Sequence, residues 1–157
     1  MRKITLVLLV CFSLLTAALP VSATGSLLQL RLEAREKALE IRSNRLENKT
    51  IWVANATLRT QIKLRLVSIK EAGTVIDETV LLQIKALTAT LKTKYAALKD
   101  TKGSIQTLVE GIPGLIESKD WATLKTTYLS ILAIQTNRNA LLTEINGLLT
   151  QIKDLLP

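Results

Sequence analysis

From Ile84 to Ile112 an apolar residue falls at every seventh position: Ile84, Leu91, Leu98, Ile105 and Ile112. Leu87 and Leu108 follow members of that row by three residues, and Tyr95 and Val109 widen the same side. Such a row with a second beside it forms one stripe of an α-helix, continuous enough to require burial against neighbouring helices. The spacing predicts a helix over 77–111. Asp77 is placed to cap it, and Glu78 puts negative charge in the first turn, where the helix N-terminus favours it. Gly103 lies inside and costs about 1 kcal/mol against alanine, but the row keeps its phase across it. Pro113, between Gly111 and Gly114, predicts the end, with one extra turn at most over 115–118.

The last stretch predicts a helix over 119–156, capped by Asp120 or Ser118. Leu124, Tyr128, Ile131, Leu142, Ile145, Leu149, Ile152 and Leu156 form one row; Ile134, Leu141, Leu148 and Leu155 form a second. Two rows contact two neighbours, so this helix is expected at the centre of a bundle. Gln135 and Arg138 interrupt the first row and predict a polar layer that fixes register.

The first stretch, 26–70, contains no proline or glycine, and Leu32, Leu39, Leu46 and Val53 recur at seven. Three residues after these come Arg35, Arg42, Lys49 and Ala56, so this apolar stripe is one residue wide with cations along it. Ten of the nineteen residues from Arg31 to Lys49 are charged, which resists burial on all but one side. From Ile51 on, Trp52, Val53, Leu58, Ile62, Leu66, Val67 and Ile69 read as a core face. One long helix is predicted, peripheral at its start and packed at its end, closed by Gly73. The fold class is therefore all-α, with three long helices in an antiparallel coiled-coil bundle, a single domain over 24–157. The first helix is the longest, so its basic N-terminal end is expected to project past the other two.

Ahead of the bundle, Arg2 and Lys3 precede an apolar run over 4–19, followed by Pro20 and Val21-Ser22-Ala23. This is the three-part pattern of a secretory signal peptide, 1–23, with cleavage between Ala23 and Thr24. An uncleaved anchor is the rival, since the run approaches spanning length. With the leader removed, no transmembrane helix is expected. The location expected is secreted or extracytoplasmic, in a bacterial cell envelope. Lipid modification of Cys11 is disfavoured by Val10, where a small residue is wanted.

Composition narrows the chemistry. There is no histidine, and Cys11 is the only cysteine, so the mature chain lacks the usual ligands of zinc, haem and copper, the commonest general base and the thiolate nucleophile. No phosphate loop, paired catalytic carboxylates or nucleophile signature appears, so neither an enzyme nor a cofactor is expected. The formal charge of +8 is uneven. Between Ser26 and Lys70 ten Lys or Arg face four Glu, while from Glu71 to Pro157 there are nine of each sign.

A basic first helix selects partners by charge: an anionic envelope surface or a protein. Export and the lack of aromatics interleaved with the cations exclude nucleic acid. The candidate partner-binding residues are Arg31, Arg35, Arg42, Arg45, Lys49 and Trp52. Trp52 and Trp121 each adjoin an apolar row, which also fits core packing. Glu33, Glu36 and Glu40 share a face that could attract a hard cation, but the cations among them favour a solvated face. Asn48-Lys49-Thr50 and Asn55-Ala56-Thr57 match the N-glycosylation pattern inside a predicted helix.

In being small, basic, helical and, beyond the leader, cysteine-free, the chain resembles the Spy and CpxP type of exported envelope-stress proteins, helical cradles that bind unfolded or stress-signalling partners. That family carries a Leu-Thr-x-x-Gln motif near helix starts. The nearest match here, Leu142-Thr143-Glu144-Ile145-Asn146, has Asn for Gln and lies in mid-helix, so no functional residue carries across. Residues 80–156 also resemble parts of exported helical proteins of Gram-positive bacteria. The expected function is non-enzymatic binding of a macromolecular partner, of the chaperone or stress-adaptor kind. A structural protein that self-associates as a coiled-coil homo-oligomer is the alternative.

Overall fold

The computed structural model describes residues 25–157, and among them it holds three helices and no strand: α1 Gly25–Glu71, α2 Glu78–Glu117 and α3 Trp121–Leu155. The chain is all-α, as the spacing predicts. The leader 1–23 and its cleavage site at Ala23 and Thr24 lie outside the described residues.

Two compact units divide these helices. The first takes residues 25–45 and 101–136, the second 46–100 and 137–157. In the first unit Ala34 and Ile41 of α1 meet Val109, Ile112 and Ile116 of α2 and Trp121, Leu124, Tyr128 and Ile131 of α3, all buried. In the second, Leu98 of α2 is buried with Leu141, Leu142, Ile145 and Leu149 of α3, and Ile51, Leu58 and Ile62 of α1 pack against them half-buried. α3 supplies buried residues throughout its length, consistent with its two apolar rows.

The register of α1 departs from expectation. Leu32, Leu39, Leu46 and Val53 face outward, with 55%, 47%, 59% and 54% of their surface exposed. The inward row lies two residues later: Ala34, Ile41, Asn48 and Asn55, continuing to Ile62, half-buried, and Ile69, buried. Its companions Ile51 and Leu58 follow at three. Among the residues expected in the core face, Trp52, Val53, Leu66 and Val67 are exposed. Asn55, one of the two polar members of the inward row, is satisfied within the second unit: its Nδ2 donates to the Leu142 carbonyl at 2.9 Å, and Asn146 Nδ2 donates to its Oδ1 at 2.8 Å. Asn48 and Asn55, the asparagines of the two glycosylation patterns, are both buried.

The start of α1 does not project loosely. Ala34 is fully buried in the first unit, Lys125 Nζ bonds Glu33 Oε2 at 2.5 Å, and the Arg31 guanidinium lies 5.9 Å from the Trp121 ring centroid. The expectation of a projecting end rested on α1 being the longest helix, with α2 stopping at Gly111. Instead α2 runs through Pro113 to Glu117. Pro113 has no N–H for the Val109 carbonyl, but burial of Ile112 and Ile116 on either side holds the backbone helical.

The helix ends follow local chemistry. Asp77 Oδ1 accepts from the Thr79 and Val80 amides at 2.8 and 3.4 Å, and Asp120 Oδ1 from the Thr123 amide at 3.0 Å, so both act as caps. A hydrogen bond from the Thr79 hydroxyl, with the Thr79 and Val80 amides, holds the Asp77 carboxyl below its usual pKa, and the Thr123 amide and hydroxyl do the same for Asp120. At the end of α1 the Thr74 amide bonds the Ile69 carbonyl at 3.1 Å and that of Gly73 the Lys70 carbonyl at 3.2 Å, with Gly73 at φ 64°. The end of α2 repeats this pairing, Asp120 to Leu115 at 3.0 Å and Lys119 to Ile116 at 3.1 Å, but the left-handed residue is Lys119, at φ 57°. A side chain in that conformation costs about 1 kcal/mol. Lys119→Gly is therefore expected to stabilise the chain by about that amount, read as a raised urea midpoint at constant slope; a lowered midpoint would contradict it.

Gln135 is buried in the first unit, and Arg138 is half-buried in the second, where its Nη1 donates to the Leu98 carbonyl at 3.1 Å. Burial lowers the guanidinium pKa from its usual high value.

Candidate functional site

The candidate residues lie on one side of a single helix, and α1's register sorts them. With seven residues per two turns, Arg35, Arg42 and Lys49 form one row, and Arg31, Arg45 and Trp52 the row next to it. Arg35, Arg42 and Lys49 are exposed, as are Arg45 and Trp52. Arg31 is half-buried over Trp121, which makes it part of the first unit's packing. Trp52 belongs to the surface and Trp121, 7% exposed, to the core.

Periodicity alone marks the outer leucines as a packing stripe. Leu32, Leu39, Leu46 and Val53 instead stand diametrically opposite the buried row, beside the cations. On their other side, one residue after each leucine, come Glu33, Glu40 and Glu47. The outer face of α1 is thus a narrow apolar row between a basic edge and an acidic one. This acidic edge escapes a reading of net charge, which sees only ten cations against four glutamates.

The acidic edge is partly engaged. Lys125 holds the Glu33 carboxyl below its ordinary pKa, chiefly through their hydrogen bond, with Gln29 Nε2 adding a second at 3.1 Å. Lys37 Nζ bonds Glu40 Oε1 at 2.6 Å, which raises the Lys37 pKa. These pairs spread Glu33 and Glu40 among lysines instead of gathering them with Glu36 around a common point, and among the described residues no cluster of three or more His, Cys, Asp or Glu could hold a metal ion.

In the second unit the face changes character. Trp52, Val53, Ala56, Thr57, Thr60 and Gln61 line a shallow open groove of about 390 Å³ without a charged side chain. Arg59 turns away from it, its guanidinium 5.8 Å from the Tyr95 ring centroid. Such a surface offers apolar contact and hydroxyls but no group able to do acid–base or nucleophilic work.

Compared with known protein families, described proteins and solved structures, the chain matches none. Among the described residues no helix is long and apolar enough to cross a membrane.

Proposed function

We propose that this chain is an exported, non-enzymatic helical-bundle protein of the bacterial cell envelope that binds a macromolecular partner, a protein or an anionic surface, through the outer face of α1. In this reading the leader 1–23 is removed after Ala23, and the short connections at 72–77 and 118–120 make successive helices antiparallel and packed in coiled-coil fashion. A chaperone-like or stress-adaptor role is the form of binding that the resemblance to Spy and CpxP proteins suggests. The observation that carries the reading is the exposed row Leu32, Leu39, Leu46 and Val53 with Arg35, Arg42 and Lys49 along its edge. Leucines at helical spacing that stay about half exposed in their own chain are an unused seam, and apolar rows rimmed by polar side chains mark interaction sites.

The test separates binding from folding. Changing Arg35, Arg42 and Lys49 together to glutamine should leave the thermal midpoint nearly unchanged, because exposed substitutions of this kind cost within about 0.5 kcal/mol. Salt-sensitive retention of the labelled protein by an envelope fraction should be abolished. Retention equal to wild type would overturn the reading.

A further inference from the structure

The outer face of α1 carries charge in an order that tells which occupant it fits. Placed in a seven-residue frame with Leu32, Leu39, Leu46 and Val53 as the inner position d, the flanking position e is Glu33, Glu40 and Glu47, and the flanking position g is Arg35, Arg42 and Lys49. α1 is one uninterrupted helix over this span, so its own register fixes these rows. We propose that this face pairs with the same face of a second copy of the chain, the two α1 helices parallel and in register. The inference rests on the reading of this face as an interface and names its occupant.

Charge complementarity selects that occupant. In a parallel pair, position g of one helix lies against position e of the next repeat on the other. Arg35 then meets Glu40 of the other copy, Arg42 meets Glu47, and symmetry supplies both contacts a second time. Arg42 and Glu47 are exposed, and among the described residues neither forms an ion pair. An antiparallel pair would set arginine against arginine and glutamate against glutamate. An anionic surface laid on the leucine row would be repelled by the acidic edge, and an acidic helix would satisfy only the basic one. A second copy pairs Arg35 and Arg42 of the basic edge with Glu40 and Glu47 of the acidic one.

The remaining inner position, a, holds Gln29, Glu36, Ser43 and Thr50. These residues weaken the seam, Glu36 most of all because it faces Glu36 of the other copy, and leave the leucine row and the charge pairs to hold it. Association is therefore weak, dependent on concentration and reduced by salt.

Sedimentation of the protein purified in its exported form tests this, using two charge-reversed variants. R35E/R42E makes both edges acidic, and E40R/E47R makes both basic. Wild type is expected to dimerise. Each variant alone should dissociate with a Kd raised by about tenfold or more, and an equimolar mixture should recover a dimer close to wild type in strength. Recovery on mixing shows that both variants are folded. Cys11 is the only cysteine of the chain and lies in the leader, so Leu32→Cys reports orientation: air oxidation should link two copies through residue 32 in a parallel pair, whereas an antiparallel pair sets these residues apart.

A wild-type protein that stays monomeric at about 100 µM, far above typical regulatory affinities, overturns the inference, as do variants that dimerise undiminished alone or a failure of Leu32→Cys to cross-link in a dimer that forms. The two proposals fail differently. A monomer whose retention by the envelope fraction is still lost in L32S/L39S overturns only the second copy as occupant; unchanged retention in L32S/L39S together with a monomeric wild type overturns both.

Discussion

Ile41→Ala is expected to destabilise the chain by about 3 kcal/mol, while Leu39→Ala, two residues earlier on the same helix, changes stability by less than about 0.5 kcal/mol. The contrast follows from register. Ile41 retains 3% of its surface and sits in the first unit's core with Ile112, Leu124 and Tyr128, so truncation removes buried methyls and leaves a cavity that α2 and α3 can only partly close. Leu39 is 47% exposed, and alanine there is a better helix former that loses little burial. Urea unfolding monitored by helical signal measures both, at a concentration low enough that the chain is a monomer and the outer face is unoccupied. Comparable losses at the two positions would mean that the outer leucines are packed by their own chain, and the candidate interface would disappear with them.

The same pair of residues shows what the sequence made legible. α2 and α3 were readable because their inward rows are built from leucine and isoleucine: Leu98, Ile112, Leu124, Ile131, Leu142, Ile145 and Leu149 all carry the periodicity and are all buried. α1 inverts that relation. Its inward row contains Ala34, Asn48 and Asn55, one too small and two too polar to register as a hydrophobic repeat, while its outward row is leucine and valine. A search for apolar periodicity therefore locks onto the wrong side of the helix.

The candidate site was legible in its cations and not in its geometry. Arg35, Arg42 and Lys49 were identifiable from charge alone, but their edge-to-edge relation with Glu33, Glu40 and Glu47 depends on which row faces out, and the register error hid it. Arg31 and Trp121, 90 residues apart, could be joined only by the fold. The helix ends divide similarly. Asp77, Asp120 and Gly73 announce themselves by residue type, whereas Lys119 at a left-handed position and Pro113 inside α2 run against local preference and persist because the surrounding packing over-determines them.

Asn55→Ala is expected to cost about 2 kcal/mol, an unusually large loss for a polar residue on a helix so rich in exposed positions. Asn55 is 1% exposed, and its amide is used at both ends, donating to the Leu142 carbonyl and accepting from Asn146. Alanine removes both bonds and leaves the Leu142 carbonyl and the Asn146 amide without that partner. Asn146→Ala should cost about half as much, because that residue is only half-buried and Asn55 keeps its bond to Leu142. The double variant should fall short of the sum by about 1 kcal/mol, the coupling expected of directly bonded side chains. Asn55→Leu separates stability from specificity: it restores apolar volume, so the midpoint should recover most of the loss, but it removes the polar contact that ties one turn of α1 to one turn of α3 in the second unit. With a more uniform apolar row, α1 can slide by one repeat against its partners. The expected signature is a stable helical protein whose amide spectrum broadens or doubles around residues 55 and 142. A sharp single set of signals in Asn55→Leu, with a loss below about 0.5 kcal/mol in Asn55→Ala, would show that register is held by shape alone.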